Sequence, residues 1–398
     1  MYSFSDKLKD LNGAATREIL KLTSRPDMIS FAGGMPAAEC LPREIIAGIS
    51  AEVLSRPDAS RLLQYGQTEG LPELNAELIN YLASIGIKAS TETVQVVSGG
   101  QQGLDLMCKA FINKGDVILV ENPTYLAFLQ IAKTYEAKVI GVNSGDDGLD
   151  LGDLEQKLKA HRPKLLYAVP TFSNPTGRTY PLENRKGIIE LCKKYGTIII
   201  EDDPYGRLRY TGEAVPLMKT LDDDGTVVYI TSFSKTVAPS LRIALCCGPA
   251  EIIRKVSIGK QGADVQNPAL CQMIMAEYLK RGHFLPVLQS NIEVYRARRD
   301  AFLKALDENM PKEVKYTRPD GGLFIWMELP EYIDAAALLP EALKKSVAYI
   351  NGNEFYADGS GKNTLRLNFS NSDISRIQNG VKILSELFST KIKEYKHG

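Results

Sequence analysis

The chain has 398 residues, 44% of them hydrophobic and 24% charged, and its formal net charge at pH 7 is zero. This composition is typical of a globular protein with one large domain and a smaller one, and the balanced charge argues against a surface for nucleic acid or anionic membranes. Six scattered cysteines without a C-x-x-C pair predict reduced thiols. Three histidines make histidine triads and metal sites poor candidates, so we expect no metal.

The beginning of the sequence predicts helices that are joined by glycine-rich loops. Residues 6–24 form an amphipathic pattern that ends before the turn Arg25-Pro26-Asp27, and the pair Gly33-Gly34 allows close approach to another group or makes a simple turn. A helix is predicted over 43–54. Tyr65 follows in a polar, glycine-containing loop, where we expect it to be exposed. The first residues lack the features of a secretion signal and no apolar run is as long as a membrane span, which favours the cytoplasm.

From about residue 94 onward, apolar runs of strand length alternate with helical patterns. The predicted strands are Val94–Val97, Val117–Val120, Lys138–Val142, Lys164–Val169, Thr197–Ile200 and Thr226–Ile230. The predicted helices are 101–112, 124–135, 151–160 and 183–195. This alternation predicts an α/β domain with a mainly parallel sheet that helices cover on both faces.

Ligands of such sheets bind at the carboxyl ends of the strands, so the residues that follow each strand are the candidates for a site. In chain order these segments are Ser98–Gly103, Glu121–Tyr125, Pro170–Gly177, Glu201–Tyr205 and Thr231–Arg242. They bring, in turn, a small-residue turn at a helix start that suits an anion, an aromatic ring, an amide, an acid with a tyrosine, and a lysine. Each segment is also an ordinary turn or cap when it is taken alone.

Lys235 lies directly after an apolar strand, between hydroxyl residues and Arg242. A neighbouring cation disfavours the ammonium form, and a neutral lysine can attack a carbonyl carbon and form a Schiff base. Ser232 and Arg242 can hold a phosphate. A Schiff-base lysine beside a phosphate site suggests pyridoxal 5′-phosphate. The same five residues, Thr231–Lys235, also fit a solvated loop, and the other strand ends favour the first interpretation.

The last third of the chain predicts a smaller α+β unit. A long helix over 289–309 precedes an alternating strand at 321–327, a helix over 334–345, the strand that carries Arg366, and a final helix over 372–394. Leu365 and Leu367 would share one face of their strand, which leaves Arg366 free to face either solvent or a ligand.

The stretch Ser173–Gly177 and the Ser-x-Ser-Lys with its following arginine resemble the fold-type I aminotransferases of class I and II, which use pyridoxal phosphate. Ile29–Pro36, Leu63–Gly70 and Ser98–Leu104 are closer still to the 2-aminoadipate/kynurenine (LysN-like) subgroup. The resemblance extends over residues 12–390. It implies an N-terminal arm (1–45), a large cofactor-binding domain (46–288) and a small domain (289–398).

The resemblance also implies roles for single residues. Lys235 carries the cofactor as a Schiff base and then moves the substrate proton. The remaining cofactor ligands are Asp202 at the pyridine nitrogen, Asn174 and Tyr205 at the ring hydroxyl oxygen, Tyr125 on the ring, and Gly100, Gln101, Ser232, Ser234 and Arg242 at the phosphate, with Tyr65 contributed by the other subunit of a homodimer. The substrate ligands are Arg366, Asn174, Gly34 and Arg25. Relatives commonly have serine where this chain has Gly100.

The implied activity is ping-pong transfer of an amino group from an L-amino acid to a 2-oxo acid through the pyridoxamine form. A lyase, decarboxylase or synthase reaction can use the same scaffold, and the fold also serves as the effector domain of GntR-type regulators. A nicotinamide dehydrogenase is disfavoured because no G-x-G-x-x-G follows a strand. The sequence leaves the amino donor open. If the glycine pair lies against the substrate, Arg25 at the helix end either reads a distal carboxylate or only caps the helix.

Overall fold

The computed structural model describes residues 2, 4–9 and 27–397, and the elements below are those of this part of the chain. The strands are β1 Ile29–Ser30, β2 Val94–Val97, β3 Val117–Asn122, β4 Lys138–Gly145, β5 Gly148–Leu149, β6 Leu165–Ala168, β7 Ile198–Asp202, β8 Val227–Ser232, β9 Ala244–Cys247, β10 Lys315–Tyr316, β11 Phe324–Glu328, β12 Val347–Ala348, β13 Ile350–Asn351 and β14 Thr364–Asn368. The α-helices are α1 Asp6–Lys9, α2 Arg43–Leu54, α3 Pro72–Ser84, α4 Gly100–Phe111, α5 Leu126–Thr134, α6 Leu151–His161, α7 Leu182–Tyr195, α8 Ala250–Gln261, α9 Ala269–Lys280, α10 Phe284–Asn309, α11 Ala335–Lys344 and α12 Ile374–His397.

Eight strands form one large sheet in the order β2-β9-β8-β7-β6-β3-β4-β5. Strands β3, β4, β6, β7 and β8 are parallel to one another, and β2 shares their direction because it is antiparallel to β9, which is antiparallel to β8. The mainly parallel α/β sheet is therefore confirmed. Strand β9 and the two-residue strand β5 were not among the predicted strands. The segment between β8 and β9 contains no crossover α-helix, so the chain returns antiparallel to β8.

The sheet is covered by helices on both faces. Apolar residues of α4, α5 and α8 pack on one face, and those of α6 and α7 pack on the other. Every residue of β2, β6, β8 and β9 is buried, which explains why these strands appear in the sequence as short, nearly continuous apolar runs. The Asp150 side chain caps α6 by accepting from the amides of Gly152 and Asp153.

A second, four-stranded antiparallel sheet has the order β10-β11-β14-β13. Strand β11 was predicted to alternate, but its residues Phe324–Met327 are all buried. Helix α10 begins at Phe284, before the predicted start at 289, so the predicted boundary at 288/289 lies inside its first turns. The three-part domain division stays a prediction. Strand β1 near the N-terminus pairs in parallel with β12 of the C-terminal part of the chain.

Of the amphipathic helix predicted over 6–24, the structure describes residues 6–9, which are helical, and the remainder lies outside the described residues. Arg25 lies outside them as well. Among the helices that are described, none combines the length and the apolar character that a membrane crossing would need.

Candidate active site

A cavity of about 180 Å³ opens at the carboxyl edge of the large sheet, where the parallel strands β6, β7 and β8 end. The structure brings ten of the predicted site residues together in its wall. They are Gly100, Gln101, Tyr125, Asn174, Asp202, Tyr205, Ser232, Ser234, Lys235 and Arg242. These residues come from five separate segments of the sequence, and the common direction of the strands places them at one edge.

Lys235 lies in the turn that follows β8. Its Nζ donates to the backbone carbonyl of Gly34 at 2.9 Å, which places the glycine pair against the reactive amine. Burial lowers the pKa of Lys235 to about 8, and the nearby guanidinium groups of Arg366 and Arg242 contribute to the same shift. The sequence predicted the effect of the neighbouring cation, while burial is the larger cause. This shift makes the neutral form of the amine more accessible near physiological pH than it is in an ordinary lysine.

Hydroxyls, a guanidinium and a helix start form an anion cradle at one end of the cavity. Ser232 Oγ donates to Ser234 Oγ at 2.8 Å, and Arg242 Nη2 donates to the carbonyl of Ser98 at 2.7 Å. Helix α4 begins at Gly100 and directs its first amides into this end. The preceding Gly99 has φ = 82°, and a Cβ there would collide with the Arg242 guanidinium, so this position requires glycine.

A buried carboxyl group lies at another wall of the cavity. Asp202 ends β7 and accepts a hydrogen bond from the Tyr167 hydroxyl at 2.8 Å. Burial raises the pKa of Asp202 to about 7, the nearby Asp203 raises it as well, and the Tyr167 hydrogen bond acts in the opposite direction. A cation beside this carboxyl group would favour its ionised form. Tyr167 stacks on Phe128 with 4.0 Å between ring centroids.

Arg366 lies on β14 of the second sheet and reaches the same region. Its Nη1 donates to Asn174 Oδ1 at 2.7 Å and its Nη2 donates to the Ala32 carbonyl at 2.6 Å, while Nε is buried and has no hydrogen-bond partner in the described part of the chain. Burial lowers the pKa of Arg366 to about 10. The solvent-facing alternative was wrong, because all five residues of β14 are buried.

The surroundings of Arg366 include groups that the sequence analysis missed. The guanidinium lies 4.3 Å from the ring centroid of Phe324 and 5.1 Å from that of Phe355. Phe324 also meets the ring of Tyr205 edge-on, with 5.7 Å between centroids. Tyr205 is buried, which raises its pKa. Only the packing of the second sheet against the first brings these rings together, so no local pattern signals them.

Tyr167 and the buried Glu121 were missed too. Glu121 accepts from the hydroxyls of Ser173 and Tyr180 and from the amide of Val169, and it thereby holds the loop that carries Asn174. Burial raises its pKa to about 8. A usable signal was present, because Glu121 is an acid at the end of an otherwise apolar strand. Its partners are 48 to 59 residues away in the sequence.

Tyr65 does not line the cavity of its own chain. Its side chain is 81% exposed, as the sequence predicted, and it sits in the loop after the 3-10 helix Ala59–Leu63. Gly34 lies beside the cavity and packs on Phe324, where an added Cβ would come within 2.8 Å of the ring. Gln101 lines the cavity wall although it is largely exposed.

The fold and the cavity define a class of protein, an α/β enzyme that presents a lysine, an anion cradle and a buried carboxyl group to one small molecule. This set of groups fits pyridoxal phosphate: the cradle suits a phosphate, the lysine an aldehyde carbon, and Asp202 a protonated ring nitrogen. The buried Nε of Arg366, which has no hydrogen-bond partner in the described part of the chain, leaves a donor available to an acceptor such as a carboxylate.

Comparison with known proteins gives the family. Residues 26–384 match the model of the family described as aminotransferase class I and II. The aromatic-amino-acid aminotransferase 1 of Thermococcus litoralis is 42% identical over 397 residues, which cover 98% of this chain and 95% of that protein. The chain belongs to the class I and II aminotransferases. It is an aminotransferase, and the cofactor of this family is pyridoxal phosphate.

Two solved structures agree with this assignment. A kynurenine aminotransferase of Pyrococcus horikoshii, in complex with PMP, superposes with a TM-score of 0.93 at 41% identity, and the match covers 98% of this chain and 97% of that one. LysN, an alpha-aminoadipate aminotransferase from Thermus thermophilus complexed with N-(5'-phosphopyridoxyl)-L-leucine, gives a TM-score of 0.91 at 37% identity with 98% of both chains covered. The resemblance to the 2-aminoadipate/kynurenine subgroup is confirmed.

Proposed function

We propose that this aminotransferase moves the amino group of an L-amino acid to a 2-oxo acid such as 2-oxoglutarate, in a ping-pong reaction. The candidate donors are 2-aminoadipate, glutamate, and aromatic or branched-chain amino acids. The observation that carries the proposal is the buried Arg366. Its Nε has no hydrogen-bond partner in the described part of the chain, and no carboxylate there is among the groups that raise its pKa. A buried guanidinium group that has an unsatisfied N–H donor and lies beside the cavity of Lys235 suits the α-carboxylate that every amino acid has.

The chain's residues divide the binding of the cofactor among them. The phosphate ligands are Gly100, Gln101, Ser232, Ser234 and Arg242, as the cradle geometry supports. Asp202 would pair with the pyridine nitrogen, Asn174 and Tyr205 would donate to the ring hydroxyl oxygen, and Tyr125 would cover the ring. When bound, the cofactor supplies an electron sink and stores the amino group between the two half-reactions.

Lys235 performs the proton transfer. Its Nζ would accept the proton from the substrate Cα, for which the amine must be neutral, and would then release it again. A pKa of about 8 gives this neutral fraction close to physiological pH. Arg366 holds the α-carboxylate and thereby fixes the Cα beside Lys235 Nζ, and the Gly34 carbonyl positions the amine. Gly34 is proposed to contact the substrate because its carbonyl accepts from Lys235 Nζ, and an added Cβ there would come within 2.8 Å of the Phe324 ring.

The proposal includes a cytoplasmic homodimer with shared active sites. Tyr65 is exposed and does not line the cavity of its own chain. This position is expected for a residue that binds the phosphate in the active site of a neighbouring subunit. Other large apolar side chains near it in sequence or space are exposed as well, among them Leu63 and Val265. A buried subunit contact would remove this apolar surface from water.

The test presents a panel of amino acids to the pyridoxal form of the purified enzyme without any oxo acid. A transaminase converts the aldehyde absorbance to that of the pyridoxamine form and releases one equivalent of 2-oxo acid, and added 2-oxoglutarate then restores the aldehyde spectrum. Release of ammonia or carbon dioxide with the aldehyde spectrum retained would identify a lyase or a decarboxylase instead. Substrate titrations at several fixed co-substrate concentrations should give the parallel double-reciprocal lines of ping-pong kinetics.

A further inference from the structure

Lys260 is a fully buried lysine outside the cavity wall. It lies on α8, and its Nζ donates to Asp264 Oδ1 at 2.7 Å and to Gln102 Oε1 at 3.1 Å. A buried ammonium group is destabilising unless it is paired and hydrogen-bonded. Burial lowers the pKa of Lys260, and the hydrogen bond to Asp264 acts against this shift. An apolar side chain of similar length would fill the same space without the free-energy cost of burying a charge. The ammonium group at this position is therefore expected to have a role.

The amide of Gln102 connects this ion pair to the start of α4. Its Oε1 accepts from the backbone amide of Ser98 at 2.7 Å as well as from Lys260, and its Nε2 donates to Asp264 Oδ2 at 2.6 Å. A reversed amide would turn its NH₂ group toward two donors, the Ser98 N–H and the Lys260 ammonium. The ion pair therefore fixes the orientation of Gln102, and Gln102 holds the backbone N–H of Ser98.

The carbonyl of Ser98, in the next peptide unit, in turn holds Arg242. The Ser98 carbonyl accepts from Arg242 Nη2 at 2.7 Å, and the guanidinium packs so closely on Gly99 that no Cβ fits between them. The Arg242 carbonyl accepts from Asn267 Nδ2 at 2.9 Å. Displacement of the Ser98 backbone would move both Arg242 and the amides at Gly100. These groups are the cationic and the dipolar parts of the anion cradle.

The backbone after Lys260 is held in an unusual conformation. Val265 has φ = 65°, a value that a β-branched residue rarely adopts, and the neighbouring Asp264 amide donates to the Lys260 carbonyl at 3.0 Å. Such strained positions persist where the surrounding contacts determine the backbone. The strained turn presents Asp264 to Lys260 and Gln102 together.

We propose that Lys260, Asp264 and Gln102 are positioning residues for the cofactor phosphate. None of the three residues lines the cavity itself. They act through the backbone of Ser98 on Arg242 and on the start of α4. This inference rests on the proposed phosphate ligands. It predicts that the three residues control the affinity for the phosphate group of the cofactor and leave the binding of its ring unchanged.

The experiment compares pyridoxal phosphate with pyridoxal, which has the same ring and aldehyde but no phosphate. The dissociation constant of each is measured by Schiff-base absorbance on the cofactor-free full-length chain. Lys260→Met and Gln102→Leu should each raise the constant for pyridoxal phosphate about tenfold or more, and the constant for pyridoxal should stay within about twofold. Asp264→Asn, at a position that is one-third exposed, is the milder variant and should act in the same direction.

Lys157→Met is the matched control. It removes another lysine–aspartate pair with a separation of four residues, Lys157 with Asp153 at 2.7 Å on α6. This pair lies away from the cavity wall, so the variant should leave both constants unchanged. Equal weakening of both ligands in the Lys260 and Gln102 variants would show a merely structural role and overturn the inference. An unchanged preference for the phosphorylated ligand would overturn it as well. If the unmodified enzyme had no such preference, the proposed phosphate site would itself be wrong, and this inference would fail with it.

Discussion

Arg366 and Asn174 lie 192 residues apart, Arg366 on β14 of the second sheet and Asn174 in the loop after β6 of the first, yet Arg366 Nη1 donates to Asn174 Oδ1 at 2.7 Å. Because a guanidinium group only donates, this contact fixes the orientation of the asparagine amide with its oxygen toward Arg366. The Asn174 NH₂ group is then turned away from the arginine and is available to an acceptor. A donor is what the hydroxyl oxygen of a bound cofactor ring requires, so one hydrogen bond would orient the proposed substrate ligand Arg366 and the proposed cofactor ligand Asn174 together.

Replacement of this guanidinium by an ammonium group should weaken substrate recognition. Arg366→Lys keeps the charge but loses the bidentate fork. A charge-assisted hydrogen bond contributes ~1.5–3 kcal/mol, and we expect kcat/KM to fall roughly ten- to a hundredfold for every amino donor. Steady-state kinetics with several donors measures this. Arg318→Lys, at a largely exposed arginine after β10, should change kcat/KM little, and equal effects of the two variants would contradict the assignment.

Lys235 should be the attachment point of the cofactor. Borohydride reduction of the yellow enzyme should fix the cofactor on the peptide that contains Lys235, and peptide mass spectrometry should detect it there. Lys235→Ala should lose about 10²–10⁴-fold or more in rate, as expected for the removal of a general base, while the fold survives. Lys186→Ala, at an exposed lysine of α7, serves as the control. Labelling of a different lysine would refute the assignment.

The depressed pKa of Lys235 should appear in the stability of the cofactor-free chain. Its pKa is about 8 in the folded chain, below an ordinary value of about 10.4. Between these two values the unfolded chain binds a proton that the folded chain lacks, so the Lys235 contribution makes the free energy of unfolding rise with pH, by up to about 1.4 kcal/mol per unit. Lys235→Met removes this contribution.

The measurement is urea unfolding at pH 8, 9 and 10. The difference in unfolding free energy between the unsubstituted chain and Lys235→Met should grow across this range in favour of the unsubstituted chain. Lys186→Met, at a lysine that is 46% exposed, should give a curve parallel to that of the unsubstituted chain. Parallel curves for Lys235→Met would mean that its pKa is ordinary in the folded state.

Tyr65 should act on the active site of the neighbouring subunit. Tyr65→Phe should leave stability nearly unchanged, since the side chain is exposed, and should weaken cofactor binding. When Tyr65→Phe chains are mixed with Lys235→Ala chains, one site of each mixed dimer carries both lesions and the other carries neither. Activity should therefore partly return.

Asp202→Ala mixed with Lys235→Ala provides the control for this complementation. Both residues line the cavity of one chain, so neither site of that mixed dimer is intact and activity should stay low. A fully active monomer in sedimentation would contradict the shared-site proposal.

Arg25 should affect selectivity between donors. If it reads a distal carboxylate, Arg25→Ala should lower kcat/KM for 2-aminoadipate or glutamate by roughly ten- to a hundredfold, because a charge-assisted pair contributes ~1.5–3 kcal/mol. Leucine should be affected little. An equal loss for both donor classes would mean that Arg25 supports structure, and an unchanged rate with the dicarboxylic donors would mean that another residue reads the distal carboxylate.

The sequence predicted the elements of the large sheet well because their signals are local. Buried parallel strands give short apolar runs, and helices give the three-to-four residue period, so six strands and the helices between them were located to within a few residues. The residues after each strand were candidates for the same reason, since parallel strands end at one edge. Strand β9 was missed because the segment before it gives a turn pattern without a helix.

The sequence by itself determined the class of fold, the segments that carry the site and the lysine at its centre, because each of these follows from local periodicity and from strand direction. The tertiary structure alone decided that Arg366 faces Asn174 rather than solvent, that Tyr167 hydrogen-bonds Asp202, and that Lys260 reaches the Ser98 turn through Gln102. The contacts of Arg366 with Asn174, of Tyr167 with Asp202 and of Lys260 with Gln102 join residues between 35 and 192 positions apart. The packing of one sheet and helix layer on another determines such distances and the burial that shifts the pKa values, and no local pattern of residues encodes them.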